Sequence, residues 1–267
     1  MSVSDISVKL EIAQNPLRPN AKDYIESIFS GFIELHGDRL YGDDPSVIGG
    51  VAILNNIPVT VIGQLRGRNL DESVRYNFSM SHPEGFRKTL RLMQQAEKFH
   101  RPVICFIDTL GAYPGVEAET RGQSAAIANN LMGMMSLKVP ILSVFIGNGV
   151  SGGALALSVA NGTIMLEHAL FSVISPKGCA NILWKDSSRY LEAAELLKMT
   201  ADDIYKLGLA DVIIKEPEGG AHTDAALTSA RISEALKGLL NKYRFLSGNR
   251  VQKQRFKKYR KIGQYIG

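Results

Sequence analysis

The sequence predicts an α/β protein with a buried, largely parallel β-sheet, and two features of the chain carry this prediction. Short apolar runs alternate with segments of helical periodicity, so strands are separated by helices. Such βαβ units have right-handed crossovers and cover both faces of the sheet. Glycine-rich segments also follow two of the apolar runs directly, at 102–107 and 139–146, and each leads into a helical pattern. The 267 residues suit one large domain, or one domain with extensions.

The N-terminal part of the chain is predicted to contain two helices and one hairpin. Apolar residues at helical spacing define the first helix, Asn55-Asn56 marks the hairpin turn, and Pro83 suits the first turn of the second helix. The expected elements are an irregular lead-in over 1–20, a helix over 21–34, strands over 47–54 and 57–64, a polar irregular segment over 67–81 and a helix over 83–99.

From residue 102 onward the alternation of strands and helices becomes regular. The expected strands are 102–108, 139–146, 162–166, 170–174 and 210–215. The expected helices are 120–137, 152–160, 179–185, 189–198, 201–207 and 223–243. Pro217, Gly219 and Gly220 make 216–223 the best candidate for a flexible connection.

Charge separates a basic tail, 242–267, from the folded domain 21–241 that follows the lead-in 1–20. The whole chain has a net charge of +5, yet the tail holds nine of its 31 Lys and Arg residues and none of its 26 acidic residues. A basic segment with interleaved aromatic residues can bind nucleic acid, an acidic cofactor or an acidic partner surface. We favour the simpler interpretation, in which the tail packs its aromatic residues on its own or a neighbouring subunit.

Several classes of protein are disfavoured by what the sequence lacks. Two cysteines cannot form a zinc ribbon, and the sequence shows no metal-binding motif, Walker A loop or G-x-G-x-x-G fingerprint. No apolar stretch is long enough to span a membrane, and residues 1–20 lack the apolar core of a signal peptide. We therefore expect a cytoplasmic protein that holds no metal.

Two glycine-rich segments are the main functional signal. The first glycine segment is 108–115 (DTLGAYPG), and the second glycine segment is 147–154 (GNGVSGGA). Glycines after a strand let backbone N–H groups approach a ligand closely, and the start of a helix adds positive potential. This arrangement is typical of a site that holds an oxyanion or a phosphate.

The second glycine segment also fits the G-x-S-x-G pattern of a serine nucleophile elbow, centred on Ser151. A serine nucleophile of this kind requires a histidine downstream in the sequence as its base, and His168 and His222 are the two candidates. His168 is expected in a turn, and His222 falls in the predicted flexible connection. We therefore favour backbone N–H donation, with Ser151 as a turn former.

Seven motifs, in this order and at these spacings, resemble the carboxyltransferase α subunit of bacterial acetyl-CoA carboxylase. The resemblance covers about residues 18–215. The motifs are 34–45 (ELHGDRLYGDDP), 77–85 (NFSMSHPEG), 108–115 (DTLGAYPG), 119–124 (ETRGQS), 151–156 (SGGALA), 165–168 (MLEH) and 175–186 (SPKGCANILWKD).

The resemblance implies a crotonase-type (ClpP/crotonase) ββα superhelix with N-terminal and C-terminal helical extensions. It implies transfer of CO2 from carboxybiotin to acetyl-CoA, which forms malonyl-CoA in the first committed step of fatty acid synthesis. It also implies an α2β2 heterotetramer that is active only with a β subunit, on which the zinc ribbon and most of the CoA contacts are expected. Biotin carboxyl carrier protein and biotin carboxylase are the further partners that it implies.

The resemblance also assigns the site residues. The catalytic group is expected to be an oxyanion hole formed by the backbone N–H groups of Gly152, Gly153 and Ala154. No covalently bound cofactor and no metal are expected on this chain. Carboxybiotin is expected to contact eight other residues of the two glycine segments, namely Gly111, Ala112, Tyr113, Pro114, Gly115, Gly149, Val150 and Ser151.

The chain departs from the family pattern at three places near this site. The family usually has Pro at position 110, Glu-Gly-Gly at 148–150 and Glu at 177, where this chain has Leu110, Asn148-Gly149-Val150 and Lys177. Val150 would be strained if its φ were positive. We favour a working enzyme over two alternatives: a divergent paralogue that binds nucleic acid or regulates, and another crotonase-fold acyl-CoA enzyme such as a thioester hydrolase.

Overall fold

A computed structural model describes residues 3–263 and shows one main β-sheet flanked by helices. Its strand order is β1-β2-β3-β5-β7-β8-β10, with β9 also paired to β7, and β4 and β6 form a separate two-stranded sheet. The strands are β1 (Ser30–Glu34), β2 (Val47–Leu54), β3 (Ile57–Gln64), β4 (Met80–Ser81), β5 (Val103–Thr109), β6 (Gly111–Ala112), β7 (Ile141–Val150), β8 (Gly162–Leu166), β9 (Leu170–Ser172) and β10 (Val212–Ile214).

Twelve α-helices lie within the described residues. They are α1 (Val3–Gln14), α2 (Ala21–Ile28), α3 (Leu70–Arg75), α4 (Pro83–Lys98), α5 (Val116–Thr120), α6 (Gln123–Ser136), α7 (Ser151–Leu155), α8 (Pro176–Trp184), α9 (Tyr190–Leu196), α10 (Ala201–Lys206), α11 (Ala225–Tyr243) and α12 (Gly248–Arg260). Across residues 3–263, no helix combines the length and apolar character that crossing a bilayer would require.

The centre of the sheet confirms the predicted α/β class. Strands β3, β5, β7, β8 and β10 pair in parallel, and every residue of β5 and β7 is buried. The hairpin of β2 and β3 is confirmed at its predicted bounds. Asn55 and Asn56 both have positive φ (46° and 63°), which is the backbone that a tight two-residue turn needs.

The prediction of an irregular lead-in is wrong, because Val3–Gln14 forms α1. Ile6, Leu10 and Ala13 lie on one face of this helix and are buried against an apolar cluster that includes Ala194 and Met199. Val8 and Ile12 lie off this face, so the apolar residues of the segment mark a single helical face only weakly. Tertiary packing therefore stabilises a helix that the local pattern indicates weakly.

Two further elements in the first hundred residues differ from the prediction. The helix expected over 21–34 ends at Ile28, and Ser30–Glu34 is a strand that pairs antiparallel with β2. Gly31 has a φ of +61°, so the helix cannot continue through it. The segment 67–81 is not wholly irregular, because α3 begins there with Asn69 as its N-cap.

The second glycine segment is a strand over its first half. Residues 147–150 continue β7, and 148–150 pair with β9, so the expected turn at Gly147 is wrong. The helix predicted over 152–160 is reduced to Ser151–Leu155. The helix predicted over 120–137 is divided at Gly122, whose φ is +83°.

The predicted flexible connection 216–223 is anchored to the domain rather than loose. Glu216 is buried and accepts hydrogen bonds from both terminal nitrogens of Arg18, at 2.6 and 2.8 Å. The Arg18 guanidinium also donates to the Ile146 carbonyl at 2.8 Å. This ion pair therefore ties the N-terminal segment, β7 and the chain after β10 together.

The basic tail folds back onto its own chain as α12, which confirms the favoured interpretation for Tyr259. Its hydroxyl donates to the Ser158 carbonyl at 2.7 Å and accepts from the Ala160 N–H at 2.9 Å. Arg255 of α12 is fully buried. By contrast, Phe245 and Phe256 are exposed, so the tail packs only part of its aromatic surface.

Candidate functional site

The two glycine segments meet where β6 lies against α7. A Cβ atom on Gly153 would lie 2.4 Å from the carbonyl carbon of Gly111, so only glycine allows this contact. Gly111 has a φ of +137°, which also favours glycine. Gln64 of β3 supports the contact from below, since its Nε2 donates to the Gly153 carbonyl at 2.8 Å. The structure therefore brings together the two segments that the sequence singled out.

Thr109 fixes the start of β6. Its hydroxyl donates to the Ser79 carbonyl at 2.5 Å and accepts from the Gly111 N–H at 3.1 Å. The Tyr113 N–H donates to the Ser81 carbonyl at 3.0 Å, which holds the other end of the strand. Because Thr109 engages the Gly111 N–H, Gly111 lines the site with its backbone rather than donating to a ligand.

The start of α7 carries an unusual backbone. Ser151 has a φ of +58°, whereas Val150 is extended with a φ of −113°. The backbone of Val150 is therefore not strained. The left-handed conformation occurs at Ser151 instead, and this residue is exposed. In any α-helix the N–H groups of the first turn lack partners within the helix. At α7 these are the N–H groups of Ser151, Gly152 and Gly153.

Neither downstream histidine lies in a position to activate Ser151. The ring of His222 is 3.1 Å from the Asn15 amide nitrogen, and the backbone N–H of His168 donates to Glu216 at 3.0 Å. Burial lowers the pKa of His168. Among the described residues, no hydrogen bond joins a histidine to Ser151, so the G-x-S-x-G pattern does not form a nucleophile elbow with a base.

The remaining predicted contact residues lie in different settings. Tyr113 stacks on His82 with ring centroids 4.1 Å apart, and Pro114 and Gly115 lead into α5. Gly149 and Val150 are buried strand residues, and a Cβ atom on Gly149 would lie 2.5 Å from the Phe145 ring. These two residues thus pack in the strand that leads into α7 and are not exposed to solvent.

Asp108 is a supporting residue whose role the sequence did not reveal. It is fully buried, and its Oδ1 accepts the Asn148 N–H at 2.8 Å. A Cβ atom on Gly147 would lie 2.5 Å from the same oxygen, so glycine lets the carboxyl group press against β7. Desolvation raises the pKa of Asp108 despite the nearby Arg66, whose Nε lies 3.9 Å away.

A cavity of about 550 Å³ opens beside the two glycine segments. Leu110, Asn148 and Lys177, three of the residues that depart from the family pattern, all line it. The Asn148 side chain is buried and its Nδ2 has no hydrogen-bond partner within the protein, while Lys177 is exposed with its Nζ 5.8 Å from the Tyr190 ring centroid. Charged residues in the lining are Arg66, Lys177 and Glu11, so cations outnumber carboxylates around the cavity.

Among residues 3–263, no group of three or more His, Cys, Asp or Glu side chains is placed to share a metal ion.

Comparison with known proteins identifies the family. Residues 4–263 match the family described as acetyl co-enzyme A carboxylase carboxyltransferase-like. The chain is 54% identical over 257 residues to the acetyl-coenzyme A carboxylase carboxyl transferase subunit alpha of Listeria welshimeri, covering 96% of this chain and 81% of that protein. The subunit of the same name from Clostridium acetobutylicum is 53% identical over 258 residues, with 97% and 94% covered.

Solved structures show the same fold at low sequence identity. Transcarboxylase 12S superposes with a TM-score of 0.70 at 17% identity, over 86% of this chain and 43% of that chain. This chain therefore spans less than half of the 12S chain. A Pseudomonas malonate decarboxylase hetero-tetramer gives a TM-score of 0.61 at 17% identity, over 83% and 92%. These matches confirm the crotonase-type fold, and the sequence matches show that the chain belongs to the acetyl co-enzyme A carboxylase carboxyltransferase-like family.

Proposed function

We propose that this chain is the α half of a carboxyltransferase that transfers CO2 from carboxybiotin to acetyl-CoA. One observation carries the proposal: the glycine-rich first turn of α7 lies against β6, and a cavity lined by Leu110, Asn148 and Lys177 opens beside the same two glycine segments. The family and the subunit names of its relatives agree with this activity. A β subunit, in an α2β2 assembly that holds the zinc, would complete the site. Biotin carboxyl carrier protein and biotin carboxylase would supply the carboxybiotin.

The chemistry explains why this chain needs no nucleophile. When the N–CO2 bond of carboxybiotin breaks, negative charge develops on the ureido oxygen. The N–H groups of Gly152 and Gly153 would stabilise that charge as it forms. The resulting anion can remove a proton from the methyl group of acetyl-CoA, and the enolate then forms a C–C bond to CO2. Malonyl-CoA and neutral biotin are the products.

Helix geometry reduces the number of N–H groups expected to donate in the predicted oxyanion hole. Ala154 is the fourth residue of α7, and in a regular helix the fourth N–H bonds to the carbonyl of the N-cap residue. Val150 is that N-cap residue. We therefore propose Gly152 and Gly153 as the main donors, with Ala154 as the buried residue that anchors them.

The test is co-expression of this chain with a zinc-ribbon β chain from the same source, followed by an assay of malonyl-CoA formation. We expect activity from the complex and none from this chain alone. Replacing Gly152 with Pro removes one N–H donor, and loss of such a donor lowers kcat by about 10²–10³-fold. Gly152→Ala is the matched control, because it keeps the N–H and its Cβ would meet Ile127 at 3.4 Å, an ordinary contact. Inactivity of the complex with every β partner from that source would exclude the proposal.

A further inference from the structure

Four carbonyl groups in and just after α7 accept hydrogen bonds from side chains of other elements. A helix leaves its last carbonyl groups without partners of its own, and buried carbonyl groups need donors. The donors belong to β3, α6, β7 and α12, so four separate parts of the fold hold this one short segment. The bonds run from Gln64 to Gly153 at 2.8 Å, from Asn130 to Ala156 at 3.3 Å, from Ser143 to Leu157 at 2.6 Å and from Tyr259 to Ser158 at 2.7 Å. We call Gln64, Asn130, Ser143 and Tyr259 the α7 clamp.

The helix α7 is too short to fix its own orientation. It has five residues, Ser151–Leu155, and isolated helices much longer than this are marginal in water. Two of the five are glycines, which restrict the backbone least. Ser151 has a φ of +58°, and a conformation of this kind persists only where surrounding contacts impose it. The direction of the N–H groups in the first turn therefore depends on contacts from outside the helix.

The α7 clamp is well suited to supply those contacts. Gln64, Asn130 and Ser143 are each at most 1% exposed, so water does not compete for their carbonyl partners. Gln64 holds the peptide group that follows Gly153, and a peptide group is a rigid plane. At the other end of the segment, the Tyr259 hydroxyl also accepts the Ala160 N–H at 2.9 Å. The clamp thus holds both α7 and the turn that follows it.

We propose that the α7 clamp positions the N–H groups of Gly152 and Gly153 for carboxyl transfer, which makes Gln64 and Tyr259 positioning residues of the reaction. The inference rests on the proposed function, in which these N–H groups stabilise a developing negative charge. It gives the basic tail a part in catalysis, because Tyr259 holds a carbonyl group 101 residues earlier in the chain. A tilt of α7 would move the donors away from the oxygen, and a misplacement of about 1 Å can lower a rate about a hundredfold.

The first experiment compares Tyr259→Phe with Tyr243→Phe in the complete α2β2 complex. Each variant removes one hydroxyl that donates to a backbone carbonyl, at 2.7 Å to Ser158 for Tyr259 and at 2.9 Å to Asn161 for Tyr243. We expect both changes to lower the unfolding temperature to a similar extent. Tyr259→Phe alone should lower kcat, by about fivefold, with the KM for acetyl-CoA unchanged.

The second experiment removes the clamp donor on α7 itself. Gln64→Met keeps the length and approximate volume of the side chain but cannot donate to Gly153. We expect kcat to fall about tenfold to a hundredfold, again with the KM for acetyl-CoA unchanged. If Gln64 acts through the N–H groups, combining Gln64→Met with Gly152→Pro should lower kcat by less than the product of the two single losses. Losses that simply multiply would contradict positioning through the first turn of α7.

Unchanged kcat in both Gln64→Met and Tyr259→Phe would overturn the inference and leave the proposed function intact. An equal fall of kcat in Tyr243→Phe would also overturn it, because the effect would then come from general destabilisation. If Gln64→Met does not fold, the two Tyr→Phe variants decide the question, since each loses a single oxygen atom. A parent complex that forms no malonyl-CoA would contradict the proposed function itself.

Discussion

Ser151 is the residue at which the strand-to-helix junction is strained. Its φ of +58° is a conformation that costs non-glycine residues roughly 1–2 kcal/mol, and more for a β-branched side chain. We expect Ser151→Val to lower the free energy of unfolding by about 1–2 kcal/mol and Ser151→Gly to leave it within about 1 kcal/mol of the parent. Urea unfolding of the three proteins measures this. Equal stability of the Val and Gly variants would contradict the strain.

The same position separates two kinds of chemistry. If Ser151 only shapes the turn, Ser151→Ala should retain carboxyltransferase activity within a few-fold of the parent, because the backbone N–H groups are unchanged. A serine hydrolase would lose its activity on that change. Measuring kcat of the complex with Ser151→Ala decides between the two, and a loss of several hundred-fold would contradict N–H donation as the main contribution.

The carboxyl group of Asp108 is expected to make the stability of the folded protein depend on pH. Desolvation raises the pKa of its carboxyl group in the folded protein above the unfolded value. The folded state therefore holds the proton more tightly, and this group's contribution to stability falls as pH rises from the unfolded pKa through the folded one. Asn cannot ionise and can still accept the Asn148 N–H through its Oδ1. We expect the stability of Asp108→Asn relative to the parent to increase as pH rises from about 4 to 8.

Unfolding free energies of both proteins across that pH range test this prediction. Glu234→Gln, at an exposed position of α11, is the control. A constant difference between Asp108→Asn and the parent would mean that Asp108 does not change its protonation in this range.

At the scale of elements, the contact between β6 and α7 depends on Gly153. A Cβ atom there would lie 2.4 Å from Gly111, so Gly153→Ala must force the two elements apart. Overpacking of this kind costs about 1–3 kcal/mol. We expect Gly153→Ala to lose stability by that amount and to lose most transfer activity, whereas Gly152→Ala should keep both. Thermal unfolding measures the stability of both variants, and malonyl-CoA formation measures their activity. If Gly153→Ala and Gly152→Ala had the same stability and activity, the contact between Gly153 and Gly111 would not be what limits substitution here.

The elements also show where sequence reasoning succeeds. The hairpin of β2 and β3 and the parallel strands were predictable because their apolar runs are continuous and end at turn residues. The strand β1 and the last four residues of β7 were not, because pairing with β2 and β9 decides their conformation. Likewise, the glycine motifs indicated the site, but Asp108 and Gln64 act through contacts that sequence spacing does not reveal.

For the whole molecule, the tail gives the clearest example of a long-range determinant. Arg255 lies on α12, yet its guanidinium donates to the carbonyls of Leu137 and Val139 at 2.8 Å and also to Met134. It further donates to Asn161 Oδ1 at 2.8 Å. The Met134 carbonyl lies in the last turn of α6, and the carbonyls there lack partners within that helix. One side chain near the end of the chain thus completes the hydrogen bonding of a segment more than a hundred residues earlier.

Truncation of Arg255 should therefore destabilise the domain as well as release α12. Arg255→Ala leaves several buried carbonyls without donors, at a cost of about 1–3 kcal/mol each when a group stays buried. We expect Arg255→Ala to lower the free energy of unfolding by about 3 kcal/mol or more. Arg255→Lys should lower it by less, because a single ammonium group can donate to only some of these carbonyl groups. Arg260→Ala, at an exposed site on the same helix, is the matched control and should stay within about 0.5 kcal/mol of the parent.

Denaturant unfolding followed by circular dichroism measures the global loss, and hydrogen exchange of α6 and α12 shows where it arises. Faster exchange confined to α12 in Arg255→Ala, with α6 protected as in the parent, would contradict this role, because the helix would then be a peripheral appendage. Loss of protection in both helices is the expected result, since the carbonyls that Arg255 satisfies belong to the C-terminal end of α6 and the turn into β7.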